Sequence, residues 1–369
     1  MAEEEGLMLD IILKKCKASK RLSDGEIRYL LTRESKEETD AICRAAREIR
    51  DRHFGGKVFM YGFVYFSTYC KNSCSFCYYR KENEEPPRYR KSEEEILSTA
   101  RALKESGVHL LDLTTGDDPY YTKHPERLAE LIKKVKEETG LAVMLSPGLL
   151  DKEGLSLISE AGADWYALYQ ETHTRELYRT LRLGQSYEKR MEAKRQAAAM
   201  GLLIEEGLLT GVGDSLEDRI HSFREMEDLH ASQVRTMTFI PQQGAPLKRR
   251  SLKADPFEGE IRNISVMRLL FPELLIPASL DVEGLKGLKT RLDAGANVVT
   301  SIIPPHQGYA GVANSVQDID EGYRTVEGIQ DTLKACGLTP ATAGEYKTWV
   351  RERKAYYERS DRRRAAARD

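Results

Sequence analysis

Cys70, Cys74 and Cys77 lie within eight residues, in the run STYCKNSCSFCYYR, with the spacing C-x3-C-x2-C. Soft thiolates suit iron–sulfur clusters, and three from one short loop can each take one iron of a cubane. The fourth iron is then open to a small molecule. A structural zinc site is closed and tetrahedral and asks for a fourth protein ligand. The nearest upstream histidine, His53, is separated from the loop by a whole apolar run. The loop therefore reads as the seat of a 4Fe–4S cluster. Cys16, Cys43 and Cys336 are scattered and read as small buried hydrophobes. Six cysteines in 369 residues are too few for a disulfide scaffold, and their clustering fits a reducing compartment.

A second set of polar groups interrupts apolar runs: Asp112 in HLLDLTT, Arg235 in VRTMTF, and Ser279 with Asp281 in IPASLD. A buried charge left alone costs roughly several kcal/mol, so each needs a partner. Either Asp and Arg pair with each other, or the partner is a charged substrate. One arginine can take one carboxylate and two aspartates can take two ammonium groups. That complement fits a basic amino acid such as lysine or ornithine better than a neutral chain or a nucleic acid. Both alternatives stand at this level, because inward and outward strand positions differ only by a one-residue register. Asp117-Asp118-Pro119 is also a helix-start turn, TGVGD is a weak lone G-x-G, and Ser215 fits a helix cap.

Eight short β-rich runs begin near Val58, Val108, Leu141, Asp164, Leu202, Gln233, Leu274 and Asn297. Amphipathic stretches such as SEEEILSTARALKESG separate them, several closing on Gly. Eightfold strand–helix alternation predicts a closed parallel (β/α)8 TIM-type barrel, with an open doubly wound sheet as the alternative. Barrel chemistry sits at the C-terminal ends of strands, where this chain places the cysteine loop, TTGDD, Ser146, Gln170-Glu171, TGVGD, Arg235, and Ser279 with Asp281. Residues 1–56 read as a helical extension, capped at Ser23/Glu26 and Ser35/Glu38, that forms a lid or plug under the barrel. The barrel is expected over 57–315, and C-terminal helices with a basic tail over 316–369. The nine basic and four acidic residues from Lys347 onward read as a solvated, frayed helix end. A net charge of −2 gives no general reason to expect nucleic acid. No apolar run long enough to cross a membrane and no secretory leader are evident, so a cytoplasmic location is expected.

The Cys70/Cys74/Cys77 loop after the first strand, with an aromatic (Phe76) before the last cysteine, resembles the signature of the radical S-adenosylmethionine (SAM) enzymes. That resemblance implies SAM chelated to the open iron, reductive cleavage by an external one-electron reductant, and a 5′-deoxyadenosyl radical. By position it implies that Thr115, Gly116 and Asp117 receive the methionine ammonium. The segment LYQETHTRELYRTLRLGQSYEKR is similar to the part of biotin-synthase-like and hydrogenase-maturase-like members that binds SAM, which implies roles for Glu171, Arg190 and, as a second arginine, Arg182. Phe76 and Ser146 complete the expected SAM-binding set. From about Ser35 to about Asn314 the segments DLTTGDDPYY, RLGQSYEKR, VRTMTFIPQQGAPL, IPASLDVEGL and RLDAGANVVTSIIP resemble the methylornithine synthase family of pyrrolysine biosynthesis. This implies an L-lysine substrate, with Arg235 on its carboxylate and Asp112, Ser279 and Asp281 on its amino groups, and a hand-over of product to the next enzyme of the pathway.

Overall fold

Each of the eight runs forms a strand: β1 (Lys57–Ser67), β2 (Leu110–Thr115), β3 (Ala142–Ser146), β4 (Trp165–Ala167), β5 (Leu203–Thr210), β6 (Gln233–Thr238), β7 (Pro277–Ser279) and β8 (Val298–Ile302). The computed structural model describes residues 2–248, 258–304 and 324–366; the expected boundary at 315/316 and the end of the resemblance near Asn314 lie outside the described residues. The local reasons for alternation are plain in the first unit. Ser92 and Glu95 form a reciprocal capping box that starts the helix Glu93–Ser106, and Gly107, at φ 94°, ends it in a left-handed turn into β2.

All strand pairs are parallel, in the order β6-β5-β4-β3-β2-β1-β8-β7. The two ends of that path meet. Val234 N donates to Leu275 O at 3.0 Å and Leu275 N to Ser232 O at 3.1 Å. These bonds decide for a (β/α)8 barrel over an open sheet, whose edges would stay unpaired. Period-2 alternation also settles the register question. On β2, Leu111 and Leu113 pack outward under the helices, while Leu110 and Asp112 face the barrel interior.

The floor of the barrel is closed by the other end of the chain from that expected. A short strand, β9 (Thr339–Pro340), pairs with Lys57 and Val58 at the start of β1. It delivers the helix Ala343–Ala366 beneath the strands. Tyr346 is fully buried there and its hydroxyl lies 2.9 Å from that of Tyr61. Trp349 stacks on Trp165 with ring centroids 5.9 Å apart. The first part of this helix is therefore a packed plug. The side chains of the Arg362–Arg364 run lie outside the described residues. Three N-terminal helices, α1 (Ala2–Lys17), α2 (Asp24–Leu31) and α3 (Lys36–Phe54), pack along the flank instead, α2 and α3 against the helices Leu216–Asp228 and Glu258–Leu270. Ser23 makes its full capping box and Ser35 caps through its side chain. Among the described residues, no helix is long and apolar enough to cross a membrane.

Candidate active site

One cavity at the C-terminal end of the barrel gathers fourteen of the fifteen residues expected at a site; only Ser279 is not among its lining residues. Cys70, Cys74 and Cys77 stand at its mouth as free thiols. The loop is seated on the turn after β2: Lys71 N donates to Asp117 O at 3.0 Å and Asn72 Nδ2 to Asp117 Oδ2 at 3.0 Å. That close approach requires glycine at position 116, where a Cβ would fall 2.3 Å from Tyr69 O and 2.9 Å from Cys70 Cβ. The two aspartates of the turn divide the work. Asp118 caps the helix Pro119–Thr122 and is held by Ser67 and Arg90, while Asp117 faces the cavity.

The thiols fit a cluster. Burial first, then the neighbouring Cys74 and Cys70, pushes the Cys77 thiol up; burial also raises Cys70. A metal charge is what such crowded thiols need in order to ionise. Donors already surround them: Gln185 Nε2 lies 3.0 Å and Arg182 Nη1 3.7 Å from Cys74 Sγ, and Asn72 N lies 3.5 Å from Cys70 Sγ. Hydrogen bonds to sulfur are one of the means by which proteins tune iron–sulfur centres. Among the described residues, no three His, Cys, Asp or Glu side chains converge on one metal ion.

Above the mid-cavity, Glu171 sits after β4 with φ 69°, a left-handed conformation uncommon for a non-glycine residue. Its backbone bridges to β5 through Gly207 O and Leu209 N. Burial raises its carboxyl and Arg182 opposes that shift, with Arg182 Nη2 donating to Glu171 Oε1 at 2.8 Å. Glu171 is thus paired with Arg182, whereas Arg190 donates to Tyr169 O at 2.6 Å. Among the described residues Arg190 has no carboxylate partner, and its Nε is buried without a hydrogen bond. Ser146 ends β3 on the cavity wall, opposite Thr114 of β2. The TGVGD loop does not line the cavity. Its Gly211 and Val212 N–H groups are taken by Asp214, and Ser215 makes a capping box with Asp218.

The floor carries charge. Arg235 Nη2 donates to Ser279 Oγ and Asp281 Oδ2, both at 3.2 Å. The Asp–Arg pairing left open by the sequence is therefore present, and Ser279 belongs to the site through it. Arg324, unforeseen, donates to Asp281 Oδ1 at 2.9 Å. Burial works against Asp281, but Arg324 and then Arg235 hold its carboxyl below the ordinary range. Asp112 differs. Thr114 Oγ1 donates to it at 2.8 Å, no cation forms a salt bridge with it among the described residues, and burial with the nearby Glu205 pushes it up to about 7. Glu205 and Tyr169 were also missed. Cys16, Cys43 and Cys336 pack elsewhere, in or against the main core.

The profile of the Radical SAM superfamily matches residues 64–226. The chain is 47% identical over 331 residues to 3-methylornithine synthase of Methanosarcina acetivorans, covering 90% of this chain and 94% of that protein. It is 30% identical over 263 residues to the FeFe-hydrogenase maturase subunit HydE of Thermotoga maritima, covering 70% and 74%. A crystal structure of a methylornithine synthase superposes with a TM-score of 0.87 at 47% identity, over 92% of this chain and 99% of that one. The maturase HydG of Carboxydothermus hydrogenoformans, at 20% identity and a TM-score of 0.79, shares the fold, over 96% of this chain and 90% of that one.

Proposed function

The chain belongs to the methylornithine synthases, within the radical SAM enzymes, and on that premise we propose that it converts L-lysine to (2R,3R)-3-methylornithine, the first step of pyrrolysine biosynthesis. The observation that carries the site assignment is one cavity with three thiols at its mouth and a charged set at its floor. Cys70, Cys74 and Cys77 would hold the 4Fe–4S cluster, which with SAM would supply the radical that takes a hydrogen atom from the lysine side chain. The protein's share is binding, position and shielding.

Asp117 and Thr115, with the turn made possible by Gly116, face the position of the SAM methionine ammonium. Arg190, which has no carboxylate partner among the described residues, offers its free Nε–H to the carboxylate. Glu171, Arg182, Phe76 and Ser146 line the space for the rest of SAM. Below them, Arg235 presents a buried, unpartnered Nε to the carboxylate of lysine. Asp112, short of a cation, takes one ammonium group, and Ser279 with Asp281 takes the other. The carbon skeleton of lysine breaks and rejoins during this isomerisation, so two fragments must stay in register. Anchoring both ends meets that demand, because held reactants behave as if at very high local concentration.

A sulfur-inserting activity of the biotin synthase kind needs further cluster ligands inside the barrel. Among the described residues, no cysteine besides the loop lines the cavity. The same reading places the enzyme in the reducing cytoplasm, supplied by a one-electron reductant and passing its product to the next enzyme of the pathway. The test is anaerobic incubation of cluster-loaded protein with lysine, SAM and a reductant, with chromatographic separation of the isomeric amino acids before mass spectrometry. Methylornithine is expected. SAM cleavage on an intact cluster with no methylornithine would refute the assignment.

A further inference from the structure

Glu205 lies on β5, 1% exposed, facing the barrel interior one inward step below Gly207. Its Oε2 accepts from the Tyr169 hydroxyl at 2.7 Å, and the same hydroxyl accepts from Arg235 Nη1 at 3.1 Å. Guanidinium, phenol and carboxylate thus form one chain. Glu205 Oε1 is buried without a hydrogen bond, 3.8 Å from Arg235 Nη1. Gly207 makes room for this arrangement: a Cβ there would meet Tyr169 Cδ1 at 3.1 Å and Arg235 Cβ at 3.3 Å. Arg235 is therefore clamped from two sides, by Ser279 and Asp281 on one and by Tyr169 and Glu205 on the other.

The floor holds three carboxylates, Asp112, Glu205 and Asp281, and two guanidiniums, Arg235 and Arg324. With all five ionised, it lacks one positive charge. A zwitterionic amino acid with a neutral side chain cannot supply it; one with a cationic side chain can. We propose that Glu205 is a positioning and specificity residue of the lysine site, steering Arg235 through Tyr169 and contributing the negative charge that selects a cationic side chain. This rests on the lysine-isomerising activity proposed above and adds a residue that does not line the cavity.

The titration of Asp112 gives the proposal a distinctive signature. Tyr61 on β1, Thr114 on β2, Tyr169 after β4, Glu205 on β5, Arg235 on β6 and Asp281 after β7 face it, and Arg324, after β8, acts on it only through Asp281. Burial and then Glu205 push its carboxyl up to about 7. An aspartate that binds ammonium must be ionised, so lysine affinity weakens as pH falls through that value. Removing the Glu205 charge lowers the pH at which this happens, while weakening lysine binding where Asp112 is already ionised.

The experiment uses cluster-loaded enzyme with SAM and compares wild type, Glu205→Gln and Tyr169→Phe for the KM of lysine between pH 6 and 9, with norleucine as the neutral competitor. For Glu205→Gln, KM is expected to rise about tenfold at pH 8.5, the scale of one charge-assisted contact. The ratio to wild type shrinks towards pH 6, preference over norleucine falls, and SAM binding is unchanged. Tyr169→Phe raises KM but keeps the preference. Parallel pH profiles with unaltered preference in Glu205→Gln overturn the proposal. If that variant does not take up a cluster, an unchanged KM in Tyr169→Phe overturns it and a raised KM with retained preference supports it. A wild type that cleaves SAM but does not bind lysine removes the underlying activity itself, a different result from either.

Discussion

Replacing Lys194 by methionine tests how the strained Glu171 turn is held. Lys194, on the helix Tyr187–Ala199, and Glu206, on β5, are both fully buried and form an ion pair. Glu206 Oε1 also accepts from Gln170 N and Gly207 N, each at 2.8 Å, and Lys194 Nζ reaches Gln170 Oε1 at 3.3 Å. The pair therefore grips the backbone on both sides of the Glu171 bridge to β5. Burial pulls Lys194 down to about 8, which leaves it charged at neutral pH. Burial opposes ionisation of Glu206 as well, but the Lys194 ammonium holds its carboxyl well below the usual range. Methionine keeps the volume and removes the cation, leaving the buried carboxylate with only His173, 3.6 Å away, and two backbone N–H groups, at a cost of about 3 kcal/mol. That is a large part of the roughly 5–15 kcal/mol that stabilises a domain. Urea denaturation of cluster-free protein, followed by far-UV circular dichroism, reads the loss. The double variant Lys194→Met/Glu206→Gln no longer carries the orphaned charge and is expected to recover more than half of it. A loss below about 1 kcal/mol in the single variant, or a double variant no more stable than the single, would refute the reasoning.

Three further outcomes are expected. Arg235→Ala retains the cluster and SAM binding but abolishes lysine turnover; undiminished methylornithine formation would remove Arg235 from the substrate site. Gly116→Ala forces the Tyr69–Cys70 backbone off the β2 turn, so iron content after reconstitution drops several-fold while the far-UV spectrum is unchanged, and full iron loading would contradict it. Tyr346→Phe leaves the buried Tyr61 hydroxyl without its partner and costs about 1–3 kcal/mol in urea denaturation; no measurable loss would mean the hydroxyl pair is dispensable.

The strands were legible because β-rich runs alternate with capped amphipathic helices, and the cysteine loop because its spacing is itself the chemistry. Glu205 and Glu206 show where legibility stops. They are adjacent acids on one strand, so period 2 sends one inward and one outward without saying which. Their partners, Tyr169 and Lys194, become neighbours only when β5 pairs with β4 and the helix between them packs on the pair. Arg324 lies 43 residues along the chain from Asp281 and carries no local pattern that marks it. The plug was hidden for the opposite reason. Tyr346 and Trp349 stand in a helix otherwise crowded with charged residues, so its pattern matches a solvated terminus although one end of it closes the barrel.

That closure has a kinetic consequence. With Tyr61, Trp165, Tyr346 and Trp349 packed across the bottom, traffic passes through the end where the cysteines stand. On the proposed assignment the amino acid's station is the deeper one, and the far larger SAM settles over it. Loading is then compulsory in sequence: the small substrate enters first and its isomer leaves last, after the spent nucleoside and methionine have gone. In an isotope-trapping experiment, labelled lysine bound before SAM is added should be committed to product against a large excess of unlabelled lysine; free exchange after SAM has bound would mean a second way in.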